Sequence, residues 1–239
     1  MTSPADIPVS SIPWLVGAAG ILAIGLKSYV GYRESRIELS KYIAWFALLV
    51  GIAMAFFSVP TFFTLNIGIL RTYDIIGEAF FYTSMVAQSA IVWFVLLRTR
   101  IPVYYLAVPI GLIGLVSWSY NTMRSYMFLS NDFITYHDPR ASTLVIAGLM
   151  IGLFTPVGIY FLRLAPSQSG LKSRLNAIAF GLVYLGVGFI SGGFEIATGQ
   201  MVTRASAPGL TVFFIILLLA GIWPRRPSAK SPLPLPDPR

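Results

Sequence analysis

The stretch KYIAWFALLVGIAMAFFSVP (residues 41–60) decides the architecture of this chain. After Lys41 it runs apolar as far as Pro60 without a single charged residue. About 20 such residues, coiled as a helix, cross a hydrocarbon layer roughly 30 Å thick. A helix satisfies its own backbone amides, which lipid cannot do, so it is the expected form of the run. The period-two alternation of a membrane barrel strand is absent. Reading outward from this stretch gives seven such segments, at about 13–32, 41–58, 75–97, 101–119, 143–163, 175–197 and 208–224. The expected fold is therefore all-α, a polytopic membrane helix bundle of about seven transmembrane helices. The bundle occupies residues 1–224, and residues 225–239, ending in PLPLPDPR, form a disordered proline-rich tail.

Composition leads to the same place. Hydrophobic residues make up 56% of the 239 and charged residues only 11%. Soluble domains carry about a quarter charged residues. A soluble chain of this size cannot bury every helix on all sides, so lipid is the expected solvent. The chain has no cysteine, which excludes disulfides, zinc–thiolate sites, iron–sulfur clusters and thiol nucleophiles. Its net charge of +8 is spread in short clusters between apolar runs, so no nucleic-acid partner is expected.

Those clusters set the orientation. With the N-terminus outside, the inner side receives Lys27, Arg33, Arg36, Lys41, Arg98, Arg100, Arg163, Lys172, Arg174, Arg225, Arg226, Lys230 and Arg239. The outer side receives Arg71, Arg124, Arg140 and Arg204. Positive charge collects on the cytoplasmic side of membrane proteins, and an even number of spans would break this alternation. The C-terminus is thus expected in the cytoplasm. No Lys or Arg precedes the first segment, which argues against a cleaved signal peptide. Pro60 should end the second span, and residues 59–74 read as a short apolar segment lying in the outer interface. Short loops and the lack of glycosylation sequons point to a bacterial inner membrane.

An ionisable group inside a bilayer is a candidate site by default. Glu78 lies near the outer start of the third span and Glu195 near the outer end of the sixth. Both fall at a similar depth, within reach of Arg71, Arg124, His137 or Arg204. One reading is an outward pocket that binds a small ligand or senses protons. The simpler reading is a pair of interfacial carboxylates satisfied by water or a neighbouring arginine. Gln88, with Thr83, Ser84 and Ser89, gives the third span a polar centre, as interhelical hydrogen bonding would require. Gly148 and Gly152, and Gly188 and Gly192, form two GxxxG pairs; Gly181 extends the second along the sixth span, which is expected to be central.

His137 is the only histidine, so no multi-histidine metal site or bis-histidine haem is expected. No HExxH, phosphate-binding loop, intramembrane aspartate pair or nucleophile–histidine arrangement is present. The chain is expected to be neither an enzyme nor the holder of a cofactor.

Three stretches, YIAWFALLVGIAMAFFSVP (42–60), YDIIGEAFFYTSMVAQSAIVWFVLLRTR (73–100) and LKSRLNAIAFGLVYLGVGFISGG (171–193), cover about 70 residues. Together with the layout they resemble the seven-transmembrane sensor region that opens bacterial histidine kinases and diguanylate cyclases. Trp45 departs from that group, whose second helix carries its tryptophan toward the outer half. The resemblance implies a stand-alone sensor, or a subunit signalling through partners, and it carries over no ligand-binding residue. The expected function is that of a non-catalytic sensor-like protein or accessory subunit, acting through partner proteins or as a homo-oligomer in the bilayer. A small-solute transporter is the alternative.

Overall fold

The structure, a computed structural model, describes residues 11–130, 133–137, 140–168 and 170–188. Helix α1 (Ser11–Ser35) turns through Arg36 and Ile37 into α2 (Glu38–Ser58), which a short 3-10 turn, Val59–Phe62, extends. Helix α3 runs from Ile67 to Val92 and continues as a π-turn, Trp93–Leu97. Helix α4 (Tyr104–Arg124) leads into a hairpin of β1 (Tyr126–Ser130) and β2 (Phe133–His137). Helices α5 (Arg140–Leu164) and α6 (Leu171–Gly186) follow.

Among the described residues five helices are long and apolar enough to cross a membrane: Ser11–Ser35, Glu38–Phe62, Ile67–Leu97, Tyr104–Arg124 and Ala141–Ser167. Within α6 the apolar part described is shorter, Ala177–Gly186. The fold among the described residues is helical apart from the hairpin. The outward faces are apolar as well: Val116 and Leu112 of α4 are 68% and 59% exposed. Hydrocarbon is the solvent that such faces suit. Expected segment seven (208–224) and the rest of segment six (189–197) lie outside the described residues.

Among the described helices α3 holds the central place, packing on α2, α4, α5 and β1. The expectation put segment six there; α6, as described, packs chiefly on α5. The reason is that α3 is buried along one whole face, from Leu70 and Asp74 to Ile91 and Val92. Its C-terminal half meets α4, α5 and α6 in a core of Met85, Ile91, Ile110, Leu153, Phe154, Val157 and Tyr184. Elsewhere glycines set the spacing. A Cβ at Gly51 would lie 2.6 Å from Leu22 Cγ, and one at Gly77 would lie 2.5 Å from Phe57 Cε1. Removing the side chain lets the helix axes close, which is how helices associate in lipid.

Two differences from the sequence reading matter for the site. Residues 67–74 do not form a separate interfacial segment; they are the first two turns of α3. Asn66 starts the helix early, its Oδ1 accepting from the amides of Gly68 (3.0 Å) and Ile69 (3.2 Å). That side chain satisfies amides which a helix start otherwise leaves unpaired. The stretch expected as a loop at 120–142 contains the hairpin, with Tyr126 opposite His137 and Ser130 opposite Phe133. The bundle therefore has a hairpin end and, opposite it, an end where Arg36, Lys41, Arg98 and Arg163 gather.

Candidate functional site

Extending α3 back to Ile67 puts Arg71, Asp74, Glu78 and Tyr82 on one face, at spacings of three, four and four residues. This face turns inward toward α4 at the hairpin end. Arg71 lies at its head. Its Nη1 donates to Asp74 Oδ2, and its Nη2 donates to Ser125 Oγ and, at 2.9 Å, to the carbonyl oxygen of Asn121. Glu78 Oε1 stands 3.8 Å from the same Nη1. The three charged side chains are only 16% (Arg71), 5% (Asp74) and 13% (Glu78) exposed.

Helix α4 supplies the opposite wall. Asn121, 1% exposed, offers its backbone carbonyl to Arg71 and to Ser125 Oγ (2.7 Å). Its Nδ2 donates to the Tyr82 hydroxyl at 3.4 Å, while its Oδ1 is buried without a donor. One turn back, Trp118 Nε1 donates to the carbonyl of Ile75 at 2.9 Å, fixing the two helices side by side. Arg71 thus ties the start of α3 to the end of α4, where the chain leaves for the hairpin.

One guanidinium faces two carboxylates, and Asp74 takes the near position. Charged groups removed from water interact strongly. Nothing in the set is a nucleophile with a base, and the described residues contain no group of three His, Asp or Glu side chains able to hold a metal. The arrangement suits charge recognition or protonation.

Of the residues expected to form a site, Glu78 lies in this cluster. Arg124 does not join it: the guanidinium beside Glu78 is that of Arg71, and Arg124 ends α4 exposed. His137 closes β2, its side chain outside the described residues, and Glu195 also lies outside them. Gln88 belongs elsewhere, about 15 Å further along α3 at the helical rise. It is fully buried, and its Nε2 donates to the carbonyl of Leu153 at 3.1 Å, next to the break that Pro156 makes in the amide ladder of α5. Asp74, Tyr82, Asn121 and Ser125 went unnoticed in the sequence. The signal for the first two was the Arg71–Asp74–Glu78–Tyr82 spacing, which straddles the boundary between the expected interfacial segment 59–74 and the expected third span.

The glycines divide. A Cβ at Gly181 would meet Leu162 Cγ at 2.6 Å and the carbonyl of Gly158 at 3.0 Å, so α5 and α6 touch through their backbones. At Gly188 it would lie 3.1 Å from Thr155 Oγ1. At Gly148 and Gly152 it would meet nothing within 4 Å, so among the described residues these two lie on an open face of α5. Gly192 is outside the described residues.

A crevice of about 240 Å³ opens between α2, α3 and α4, lined by Leu49, Ile75, Ala79, Phe80 and Trp118. At the basic end Lys41 stands over the rings of Tyr32 (5.9 Å) and Tyr42 (6.0 Å), and Arg98 stands over Phe94 (4.9 Å). Tyr42 packs in turn on Trp93 and Phe94, which joins α2 to the π-turn of α3. No protein-family model and no curated protein matches this chain. Its function must be argued from its own chemistry.

Proposed function

We propose that this chain is a non-catalytic, multi-pass membrane protein that acts as a sensor or accessory subunit through partner proteins. In this reading it has seven spans, an outer N-terminus and a cytoplasmic C-terminus, and sits in a bacterial inner membrane. The hairpin end then faces outward, and the end carrying Arg36, Lys41, Arg98 and Arg163 faces the cytoplasm, in keeping with the positive-inside rule.

The observation that carries the proposal is the buried Arg71–Asp74–Glu78 set clamped to Asn121 and Ser125. It sits where α3, α4 and the hairpin meet, so a change in its charge acts on all three. The same helix, α3, ends in the π-turn and the aromatic–cation contacts at the other face, which offers a rigid route to a cytoplasmic partner. A two-state packing biased at one end and read at the other is what a sensor needs. Transport has less support: the middle of the described bundle is filled by Met85, Ile91, Leu153, Phe154 and Val157, and the one crevice described is apolar and opens on an apolar face.

Copurification in mild detergent tests the proposal. Stoichiometric partner proteins are expected, with the recovered ratio responding to outer pH or to an added small ligand. The double variant Glu78→Gln with Glu195→Gln should lose that response while inserting normally. Solute uptake by proteoliposomes of the pure chain, with no partner recovered, would replace this reading by transport.

A further inference from the structure

At the basic end of the bundle, residues 33–41 and 98–103 carry Arg33, Arg36, Lys41, Arg98 and Arg100 against Glu34 and Glu38. Among the described residues one ion pair forms there, Lys41 Nζ with Glu38 Oε2 at 3.5 Å, and both side chains stay partly exposed. Arg98 and Arg100 are exposed and form none among the described residues. Lys41 and Arg98 nevertheless have fixed places, at the two ends of one aromatic tier. Lys41 Nζ lies 6.0 Å from the centre of the Tyr42 ring, and that ring lies 6.2 Å from Phe94. The Arg98 guanidinium stands 4.9 Å from the same Phe94 ring. Cation–π attraction and apolar contact hold the two stems against the rings and spare most of their N–H donors for an anion. From these cations toward the middle of the bundle the surface turns apolar. Among the described residues Trp45, one turn from Lys41 on α2, is 55% exposed, and Leu96, just before Arg98, is 38% exposed.

We propose that this seam, between the start of α2 and the π-turn of α3, is a binding site for an anionic phospholipid. The lipid phosphate lies between Lys41 and Arg98, and its glycerol and upper acyl chain cover Trp45 and Leu96. An amphiphile is the occupant that matches both halves of the surface. An acidic protein segment arriving from water would neutralise the two cations but leave Trp45 uncovered, about 6 Å deeper along α2 at the helical rise. Basic pockets between membrane helices recognise lipid headgroups in this way, and indole rings favour the same depth. The charge supplies the selectivity. Each Lys or Arg near the surface is worth about fivefold in binding to an anionic lipid, so the pair gives a preference of about 25-fold. Added salt should weaken it, because exposed charges are screened. The site asks only that the basic end lie at headgroup depth, in either leaflet, so it goes beyond the sensor reading and does not rest on it.

Tryptophan quenching in mixed micelles of mild detergent tests the site on the purified full chain. The probes are phosphatidylglycerol and phosphatidylcholine with bromine on their acyl chains. Brominated phosphatidylglycerol should quench the wild type at a far lower mole fraction than brominated phosphatidylcholine. The chain has five tryptophans, and Trp45→Phe should remove most of the excess quenching. Arg98→Gln should lower the preference about fivefold, and Lys41→Gln with Arg98→Gln should abolish it. Arg174→Gln removes the same charge from an exposed site on α6, which packs chiefly on α5, and should leave the preference intact. Unbrominated phosphatidylglycerol should reverse the quenching, whereas glycerol phosphate in the buffer should not. Equal quenching of the wild type by the two lipids overturns the proposal, without recourse to any variant, and leaves the basic end to an acidic protein segment. Equal losses in Arg174→Gln and Arg98→Gln overturn it as well, because a diffuse field would then be attracting the lipid. So does displacement by glycerol phosphate as effective as that by the lipid, which would reduce the site to a phosphate site. No partner protein takes part, so failed copurification leaves the lipid site standing, and a negative quenching result leaves the sensor reading standing.

Discussion

Replacing Arg71 with leucine should destabilise the protein far more than removing the whole charged set. The guanidinium serves Asp74, Ser125 and the Asn121 carbonyl by hydrogen bonds and Glu78 by charge. In Arg71→Leu both carboxylates stay behind, buried, without the guanidinium that serves them. Breaking a buried ion pair by removing one partner costs about 3–5 kcal/mol, whereas exchanging all its members for apolar groups is often neutral. For a chain of this size 1 kcal/mol corresponds to roughly 2–4 °C in melting temperature. Arg71→Leu should therefore melt about 6–20 °C below the wild type. The triple variant Arg71→Leu, Asp74→Leu, Glu78→Leu should recover most of that loss. Intrinsic tryptophan fluorescence in detergent follows the transition, since the chain carries five tryptophans. A single variant within about 2 °C of wild type, or a triple variant less stable than the single one, would refute the reasoning, because the cluster would then be open to water.

Other expectations follow from the packing and the backbone. Gly181→Ala should lower the melting temperature by several degrees, since overpacking costs about 1–3 kcal/mol and the carbonyl of Gly158 cannot move aside. Gly148→Ala, on the open face of α5, should leave stability unchanged or raise it by up to about 1 kcal/mol through helix propensity; the same thermal assay reads both. Arg36 is a non-glycine residue at φ 57°, ending α1 with its amide on the Tyr32 carbonyl at 2.7 Å. Left-handed backbone penalises a side chain by roughly 1–2 kcal/mol, so Arg36→Gly should gain a net ~0.5–1 kcal/mol in a chemical-denaturation series. Equal stability of the two proteins would show that the turn is not strained.

Much of this architecture is legible without coordinates. The first five apolar segments appear in the expected places, with α1, α2, α4 and α5 beginning or ending within about five residues of their expected bounds, because span length is set locally by the thickness of hydrocarbon. Glu78 stood out for the same local reason: a carboxylate in an apolar run is conspicuous. The segment 59–74 was harder to read. Pro60 marks a stop, but the restart depends on Asn66 folding its side chain back onto two amides, and apolar residues on both sides mask it.

Hydropathy and the requirement to pair every amide act on each segment alone, so a helical chain suited to lipid can be read segment by segment. Only the tertiary structure decided which side chain answers Glu78. Arg71, Arg124, His137 and Arg204 were equal candidates along the chain, and among the described side chains it is Arg71 that stands beside Glu78, because α3 begins early enough to carry it on the same face. Asn121 and Ser125 joined from residues about 50 positions away, through the packing of α4 on α3. Such pairings depend on how two helices are rotated against each other, and no single segment encodes that rotation.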